Sequence, residues 1–180
     1  MQESDSRFRL PQQAGGNDII IRPFSKTDSI SELTSLLHRA YKRLADMGLY
    51  FVATYISEED MQGFIDRGEC FVADLNGKII GTILLYPRGK NTPEIYKRDD
   101  VQVCGKFAVE PEYQCNGIGG MLMDYIEKYV KEKGIKELAL DTAEQAQHLI
   151  DYYSKRGYKQ VGFYKWKTTN YRSVVMTKKL

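Results

Sequence analysis

Near the middle of the chain, a run of β type leads through a glycine-rich turn directly into a helical pattern. Residues 101–109 are rich in valine and other apolar side chains, and the run stops at Glu110-Pro111. From Gly117 to Gly134 the apolar residues recur every three or four positions, as on one face of a helix. Such a helix start presents unpaired backbone N–H groups at the positive end of the helix dipole. The stretch therefore predicts a phosphate site, and the alternative is a helix entry that needs only a tight turn.

Two familiar phosphate-binding patterns are missing from this turn. A dinucleotide-binding turn requires Gly-x-Gly-x-x-Gly, but Gly117-Ile118-Gly119 is followed by Gly120-Met121-Leu122, so the last glycine is absent. A Walker loop requires Gly-Lys-Ser/Thr after four spacer residues, and the chain has no such sequence. The spacing therefore disfavours a dinucleotide or a nucleoside triphosphate as the ligand.

The remaining patterns alternate between strand and helix type. Strand-type runs are found at 18–23, 69–75, 78–86, 101–109, 136–140, 158–166 and 173–178. Four helical patterns are present. The first follows a cap at Asp28 or Ser29, the second follows a cap at Ser57, the third follows the glycine turn, and the fourth begins at Ala146. The order predicts an α/β fold with a mixed sheet, in which Asn76-Gly77 turns a hairpin and residues 87–100 form a surface loop.

Length and composition limit the possible classes of protein. The 180 residues suit one domain, which we place at 18–180 after a flexible polar tail at 1–17. The 26 basic and 24 acidic side chains nearly cancel, so no general field favours nucleic acid or a membrane. The three cysteines lack metal-site spacing, and no apolar stretch has the length of a membrane span or the form of a signal peptide. These features predict free thiols, no metal site and a cytoplasmic protein.

The glycine turn resembles the acyl-CoA loop of the GNAT family of N-acetyltransferases. That loop has the pattern Gln/Arg-x-x-Gly-x-Gly/Ala, and residues 114–119 read Gln-Cys-Asn-Gly-Ile-Gly. The preceding Phe107-Ala108-Val109 and the later segment 146–158 also fit, and the resemblance covers residues 19–178. It implies the GNAT acyl-CoA acyltransferase fold, with a mixed, mostly antiparallel central sheet of six to seven strands flanked by four helices.

The resemblance also implies how acetyl-CoA would be held. Backbone groups of Phe107, Ala108 and Val109 would bind the pantetheine arm, since an extended strand can pair with its amides. The amides of the helix start would bind the pyrophosphate. The residues of this second group are Gln114, which opens the loop, followed by Cys115, Asn116, Gly117, Ile118, Gly119 and Gly120.

Acyl transfer to an amine also needs a proton donor for the leaving thiolate and a neutral amine. Tyr153 stands four residues before Gly157, where the family usually carries the tyrosine acid, although it also continues a core stripe. Asp141, after an apolar run, is the candidate base, with Glu110 as runner-up; either is otherwise a cap or a solvent-facing residue. Many relatives have an asparagine where this chain has Ala146, which removes one contact near the pantetheine.

Other charged and reactive side chains near these motifs have weaker functional interpretations. The Cys115 thiol lacks a recognisable histidine partner, so we assign its role to the amide. Lys155, Arg156 and Lys159 could reach the 3′-phosphate of the cofactor, or simply form a solvated helix end. We expect segments 47–56, 87–100 and 167–172, which contain or adjoin several aromatics, to line the acceptor site.

The sequence thus predicts an acetyl-CoA-dependent N-acetyltransferase that acts by direct attack of an amine on the thioester. The acceptor is a primary amine of an unidentified small molecule or peptide, and the protein is a monomer or homodimer. The alternative is a non-catalytic acyl-CoA-binding module with the same fold. A nucleotide-binding regulator is a third hypothesis, which competition by ATP or NAD for the loop would support.

Overall fold

A computed structural model describes residues 18–89 and 92–180, and they contain a seven-stranded sheet in the order β1-β2-β3-β4-β5-β7-β6. The strands are β1 Ile19–Pro23, β2 Glu69–Leu75, β3 Lys78–Tyr86, β4 Val101–Val109, β5 Glu137–Ala143, β6 Lys159–Tyr164 and β7 Ser173–Lys179. The helices are α1 Ile30–Asp46, α2 Glu58–Arg67, α3 Ile118–Glu132 and α4 Gln147–Lys155. Only β4 and β5 pair in parallel, which confirms the mixed, mostly antiparallel sheet. The predicted tail at 1–17 lies outside the described residues.

Local signals account for the first half of the fold. Ser29 and Ser57 cap α1 and α2, because each side-chain oxygen accepts a hydrogen bond from the backbone N–H three residues later. Asn76 and Gly77 both have positive φ angles, of 53° and 87°, as a tight two-residue hairpin requires. The hairpin of β2 and β3 therefore has the predicted bounds.

The helices cover the sheet on both faces. Leu122 and Ile126 of α3 pack with Phe71 and Tyr153 in the larger core cluster. Residues of α1 and α2, such as Leu37, belong to a second cluster on the other side. Each helix buries one apolar stripe against the sheet, which is the three-layer arrangement of an α/β protein.

The centre of the sheet is open between β4 and β5. The two strands pair only where Val101–Val103 lies beside Glu137–Ala139, although both strands continue. Further along β4, beyond the residues that pair with β5, the pairing with β3 shifts, so that Lys106 and Phe107 together oppose Ile83. This is a β-bulge, and Lys106 has a φ of 48° in the left-handed region. The separation and the bulge together create space in the middle of the sheet, between β4 and β5.

Three segments differ from their predicted form. Strand β5 continues to Ala143, because its backbone pairs with β7 as far as Ser173, so Asp141 lies within the strand and not at its end. The predicted strand at 158–166 ends at Tyr164. The surface loop before β4 contains a short 3-10 turn that buries Tyr96.

Candidate active site

A cavity of about 1250 Å³ opens where β4 and β5 separate. Its wall includes backbone and side chains of β4, the glycine loop, and parts of α1, α2 and α4. All three segments predicted to line the acceptor site contribute, for example through Phe51, Tyr96 and Thr168. Trp166, next to the last of these segments, also lines the cavity, whereas Tyr50 and Tyr55 are exposed and do not. The predicted donor and acceptor regions therefore meet in one space.

The glycine loop leaves the start of α3 uncapped. Gly117 is the N-cap residue, with a φ of 83°, and no side chain accepts a hydrogen bond from the first turn. Cys115 also has a positive φ, of 63°, which is uncommon for a residue other than glycine. A Cβ atom at Gly119 would lie 3.1 Å from the Phe107 ring, so any larger residue here would require the ring to shift. The geometry keeps backbone amides open toward the cavity.

Most of the predicted cofactor residues line this cavity. They are Phe107, Ala108, Val109, Gln114, Cys115, Gly117, Ile118, Gly119 and Gly120. Asn116 is not part of the wall, because its side-chain amide turns back to donate to the carbonyls of Tyr113 and Gln114. Its side chain stabilises the turn.

Two side chains fix the end of β4. The Gln114 side chain donates to the Val109 carbonyl at 3.0 Å. Tyr41 of α1 donates its hydroxyl to the Phe107 carbonyl at 3.1 Å, and burial raises the pKa of this tyrosine well above its usual value. Tyr41 therefore stays a hydrogen-bond donor at neutral pH. The sequence prediction did not include it, since a tyrosine on a helical stripe has the same pattern as any core aromatic.

Tyr153 and Tyr152 both lie beside Phe107. The Tyr153 side chain lines the cavity and is 8% exposed, and its hydroxyl has no hydrogen-bond partner among the described residues. Burial raises the pKa of Tyr153 well above 10, so the phenol remains protonated. The ring of Tyr152 stacks on Phe107 with 6.2 Å between centroids, and its hydroxyl is buried without a partner. Tyr152 is a site residue that the sequence prediction missed, although it is adjacent to the predicted one.

The two candidate bases have different surroundings. Asp141 lines the cavity, and its two oxygens accept hydrogen bonds from the Tyr96 hydroxyl at 3.1 Å and the Trp166 indole at 2.8 Å. Glu110 is 7% exposed and forms a two-point ion pair with Arg39, with N–O distances of 2.8 and 2.7 Å. Neither carboxylate is a helix cap or a freely solvated group. Both carboxylates therefore have donors for their oxygens, but only Asp141 lines the cavity.

Lys106 is a further site residue that the sequence prediction missed. Its side chain lines the cavity, is 8% exposed, and places the ammonium 4.8 Å from the centre of the Phe64 ring. Desolvation lowers the pKa of Lys106 to about 8, while the charges of Asp141 and Asp60 partly oppose this change. The only sequence signal is a lysine inside a mostly apolar strand.

The remaining candidates are occupied or distant. Arg156 donates to Asp124 and Glu127, so its guanidinium is already paired, and neither Lys155 nor Lys159 lines the cavity. Ala146 is fully buried at the start of α4. Residues 18–89 and 92–180 contain no cluster of three or more potential metal ligands, and no helix among them is long and apolar enough to cross a membrane.

The open sheet, the uncapped glycine loop and the shared cavity are what the resemblance to acyl-CoA acyltransferases implies, and comparison with known proteins identifies the class as an acyltransferase. The chain belongs to the acetyltransferase (GNAT) family, whose family model matches residues 31–158. It is 31% identical over 134 residues to the S-(2-succino)cysteine N-acetyltransferase of Bacillus subtilis, covering 73% of this chain and 79% of the relative. It is also 27% identical over 146 residues to the S-alkylcysteine N-acetyltransferase of the same organism, covering 79% of each.

Solved structures show the same fold. The PaiA N-acetyltransferase of Thermoplasma acidophilum, in complex with coenzyme A, has a TM-score of 0.71 and 23% identity, covering 91% of this chain and 99% of its own. A GNAT acetyltransferase of Elizabethkingia anophelis with bound acetyl-CoA has a TM-score of 0.67 and 22% identity, covering 90% and 98%. The family and the fold class that the sequence resembled are therefore confirmed.

Proposed function

We propose that the protein transfers the acetyl group of acetyl-CoA to a primary amine of a small molecule by direct attack. The main support is the single cavity that joins the open amides of the glycine loop to the predicted acceptor segments. The named relatives are N-acetyltransferases of S-substituted cysteines, and two structural neighbours carry acetyl-CoA or coenzyme A. The three free cysteines suit a reducing compartment, so we also propose a cytoplasmic location, and we retain the expectation of a monomer or homodimer.

The residues present fit acetyl-CoA, which supplies an acetyl group activated as a thioester. Beyond Val103 the edge of β4 that faces β5 has no strand partner, so its backbone is open to an extended amide chain. The uncapped first turn of α3 suits a pyrophosphate. The buried Tyr152 hydroxyl, 3.4 Å from the position of a Cβ at Gly119, is an unsatisfied donor near the same loop.

Two side chains are proposed to move protons. Tyr153 stays protonated and has no hydrogen-bond partner among the residues described, so it can donate its proton to the leaving thiolate. Asp141 accepts the ammonium proton through water, and its bonds to Tyr96 and Trp166 hold the carboxylate in one orientation. The neutral amine then attacks the thioester carbonyl, the C–N bond forms as the C–S bond breaks, and the second proton of the nitrogen passes to water while Tyr153 protonates the thiolate. Backbone N–H groups near Val109 stabilise the oxyanion.

The test is release of thiol from acetyl-CoA in the presence of amine panels. S-substituted cysteines, free amino acids, polyamines and short peptides are compared at equal concentration. We expect turnover with at least one small amine class. Coenzyme A binding with no turnover by any acceptor would favour the non-catalytic acyl-CoA-binding module, and competition by ATP or NAD would favour a nucleotide-binding regulator.

The loop assignment has its own test. Gly119→Glu should lower acetyl-CoA affinity at least about tenfold, because the carboxylate would crowd Phe107 and repel the pyrophosphate. Gly162→Ala is the matched control, since a Cβ at that β6 position has no atom within 4 Å. Calorimetric titration with coenzyme A measures both variants. Unchanged affinity of Gly119→Glu would contradict the loop assignment.

A further inference from the structure

A buried ammonium at the α2 end of the cavity has no anionic partner among the described residues. We define this end by the cavity-lining residues Phe64, Arg67, Tyr86 and Lys106. The Lys106 ammonium lies 4.8 Å from the Phe64 ring centre, and the same ring is 5.8 Å from that of Tyr86. Lys106 makes no hydrogen bond or ion pair with any residue in the described parts of the chain. Lysine is almost never buried without a partner.

The acidic groups that act on Lys106 already have other donors. Asp60 accepts a hydrogen bond from the Ser57 hydroxyl at 2.8 Å. Asp141 accepts from Tyr96 and Trp166. Both carboxylates influence Lys106 electrostatically, yet neither has an oxygen within ion-pair distance of its nitrogen in the structure described. No carboxylate in residues 18–89 and 92–180 thus pairs with this charge.

The other cations of the cavity wall do not share this situation. Arg39, Lys42 and Arg88 pair with Glu110, Asp46 and Asp99. Arg43 and Arg67 are exposed, and water therefore solvates them. Among the charged lining residues that the structure describes, only Lys106 combines burial with a missing partner. A ligand that brings a carboxylate to this position would supply the missing anion.

The opposite charge is present on the same cavity. Asp141 is the one acidic residue among the described residues of the wall, and it is our candidate base for the attacking amine. An acceptor with its ammonium near Asp141 and its carboxylate near Lys106 would be a zwitterion, as an amino acid is. A polyamine, in contrast, would place a second positive charge against the buried ammonium.

We propose that Lys106 binds a carboxylate of the acceptor, so that the acceptor is an amino acid or another amine with a carboxylate near the amino group. The inference rests on the proposed function in taking this cavity as the acceptor site. It goes further by naming the substrate class and the specificity-determining residue. Aromatic rings around the ammonium exclude water and strengthen the pairing.

The test compares ligands that differ only in the carboxylate. S-Methylcysteine is compared with 2-(methylthio)ethylamine as acceptor, and N-acetyl-S-methylcysteine with its amide as binding probe for the coenzyme A complex. Lys106→Met keeps an unbranched side chain as far as Cε and removes the charged Nζ, and Lys131→Met on the exposed face of α3 is the matched control. Coenzyme A titration and a thermal melt verify that each variant is folded.

We expect Lys106→Met to lower kcat/KM for S-methylcysteine, and affinity for the N-acetyl acid, about ten- to a hundredfold. The decarboxylated amine and the amide should change by no more than about twofold, and Lys131→Met should match the wild-type protein. Loss of activity to the same extent on both acceptors would overturn the inference and indicate a structural or proton-transfer role. Equal affinity of the wild-type protein for acid and amide, including no measurable binding of either, would also overturn it.

The two probes separate this inference from the proposed function. If no amine is acetylated but the acid still binds through Lys106, the carboxylate site stands and the transfer activity is wrong. If amines are acetylated without regard to a carboxylate, the activity stands and the Lys106 site is wrong.

Discussion

Replacing Lys106 by methionine is expected to stabilise the folded protein at neutral pH. The wild-type side chain is 8% exposed, and desolvation lowers its pKa from 10.5 to about 8. Each pKa unit corresponds to about 1.4 kcal/mol, so burial of the charged form costs about 3 kcal/mol of folding free energy. Methionine avoids this cost but loses the contact of the ammonium with the Phe64 ring, which contributes about 1 kcal/mol. The net expectation is a gain of about 2 kcal/mol.

The same reasoning predicts how the difference in stability between Lys106→Met and the wild-type protein depends on pH. Below about pH 8, Lys106 is protonated in the folded and the unfolded protein, so the full cost applies and does not vary. Between about pH 8 and 10.5 the unfolded chain holds a proton that the folded chain has released, so wild-type stability rises with pH relative to the variant. The advantage of Lys106→Met should therefore shrink as the pH approaches 10.5.

Urea unfolding monitored by Trp166, the single tryptophan, measures both effects. The wild-type protein, Lys106→Met and the exposed control Lys131→Met are compared near pH 7, 8.5 and 10. Lys131→Met should remain within about 0.5 kcal/mol of the wild-type protein at each pH. If Lys106→Met is less stable than the wild-type protein near pH 7, or if their difference does not depend on pH, the buried ammonium is not the destabilising group that we infer.

Two further predictions concern the tyrosine and the ion pair. Tyr153→Phe should lower single-turnover acetyl transfer about a hundredfold while thermal stability is kept, because only the proton donor is removed; full turnover would show that the tyrosine only packs. Arg39→Ala should lower the free energy of unfolding by about 1–2 kcal/mol, because the substitution leaves the buried Glu110 carboxylate unpaired. Lys42→Ala breaks an exposed pair and should change the free energy of unfolding by less than about 0.5 kcal/mol. Equal effects of the two alanine variants in urea unfolding would refute that ranking.

Local signals were sufficient to predict most of the fold. The Asn76-Gly77 turn, the serine caps and the helical stripes each depend on neighbouring residues, and the structure has hairpin and helices where these signals predict them. The glycine loop could also be predicted, since the pattern is contiguous in sequence. Strand ends were less accurate, because the length of β5 depends on its pairing with the distant β7.

Long-range pairing explains what the sequence could not predict about the site. The loop before β4 has the composition of a surface segment, yet Tyr96 is buried because its hydroxyl reaches Asp141 on β5. The opening between β4 and β5 depends on where two strands stop pairing, and no residue type signals that point. Lys106 could be identified as a site residue only once its surroundings were known.

The bulge in β4 explains how one strand can serve both halves of the cavity. In a regular strand, Cys104 and Ala108 would share a face, since side chains alternate with a period of two. Instead Cys104 packs in the core cluster that contains α3, and Ala108 packs in the cluster that contains α1 and α2. One extra residue between them reverses the alternation, so Phe107 packs beside the glycine loop while Lys106 reaches Phe64 of α2. The bulge, with its strained backbone at Lys106, thus decides which face each side chain takes: the Phe107 ring lies on the side of the glycine loop, and the proposed carboxylate anchor Lys106 lies on the side of α2.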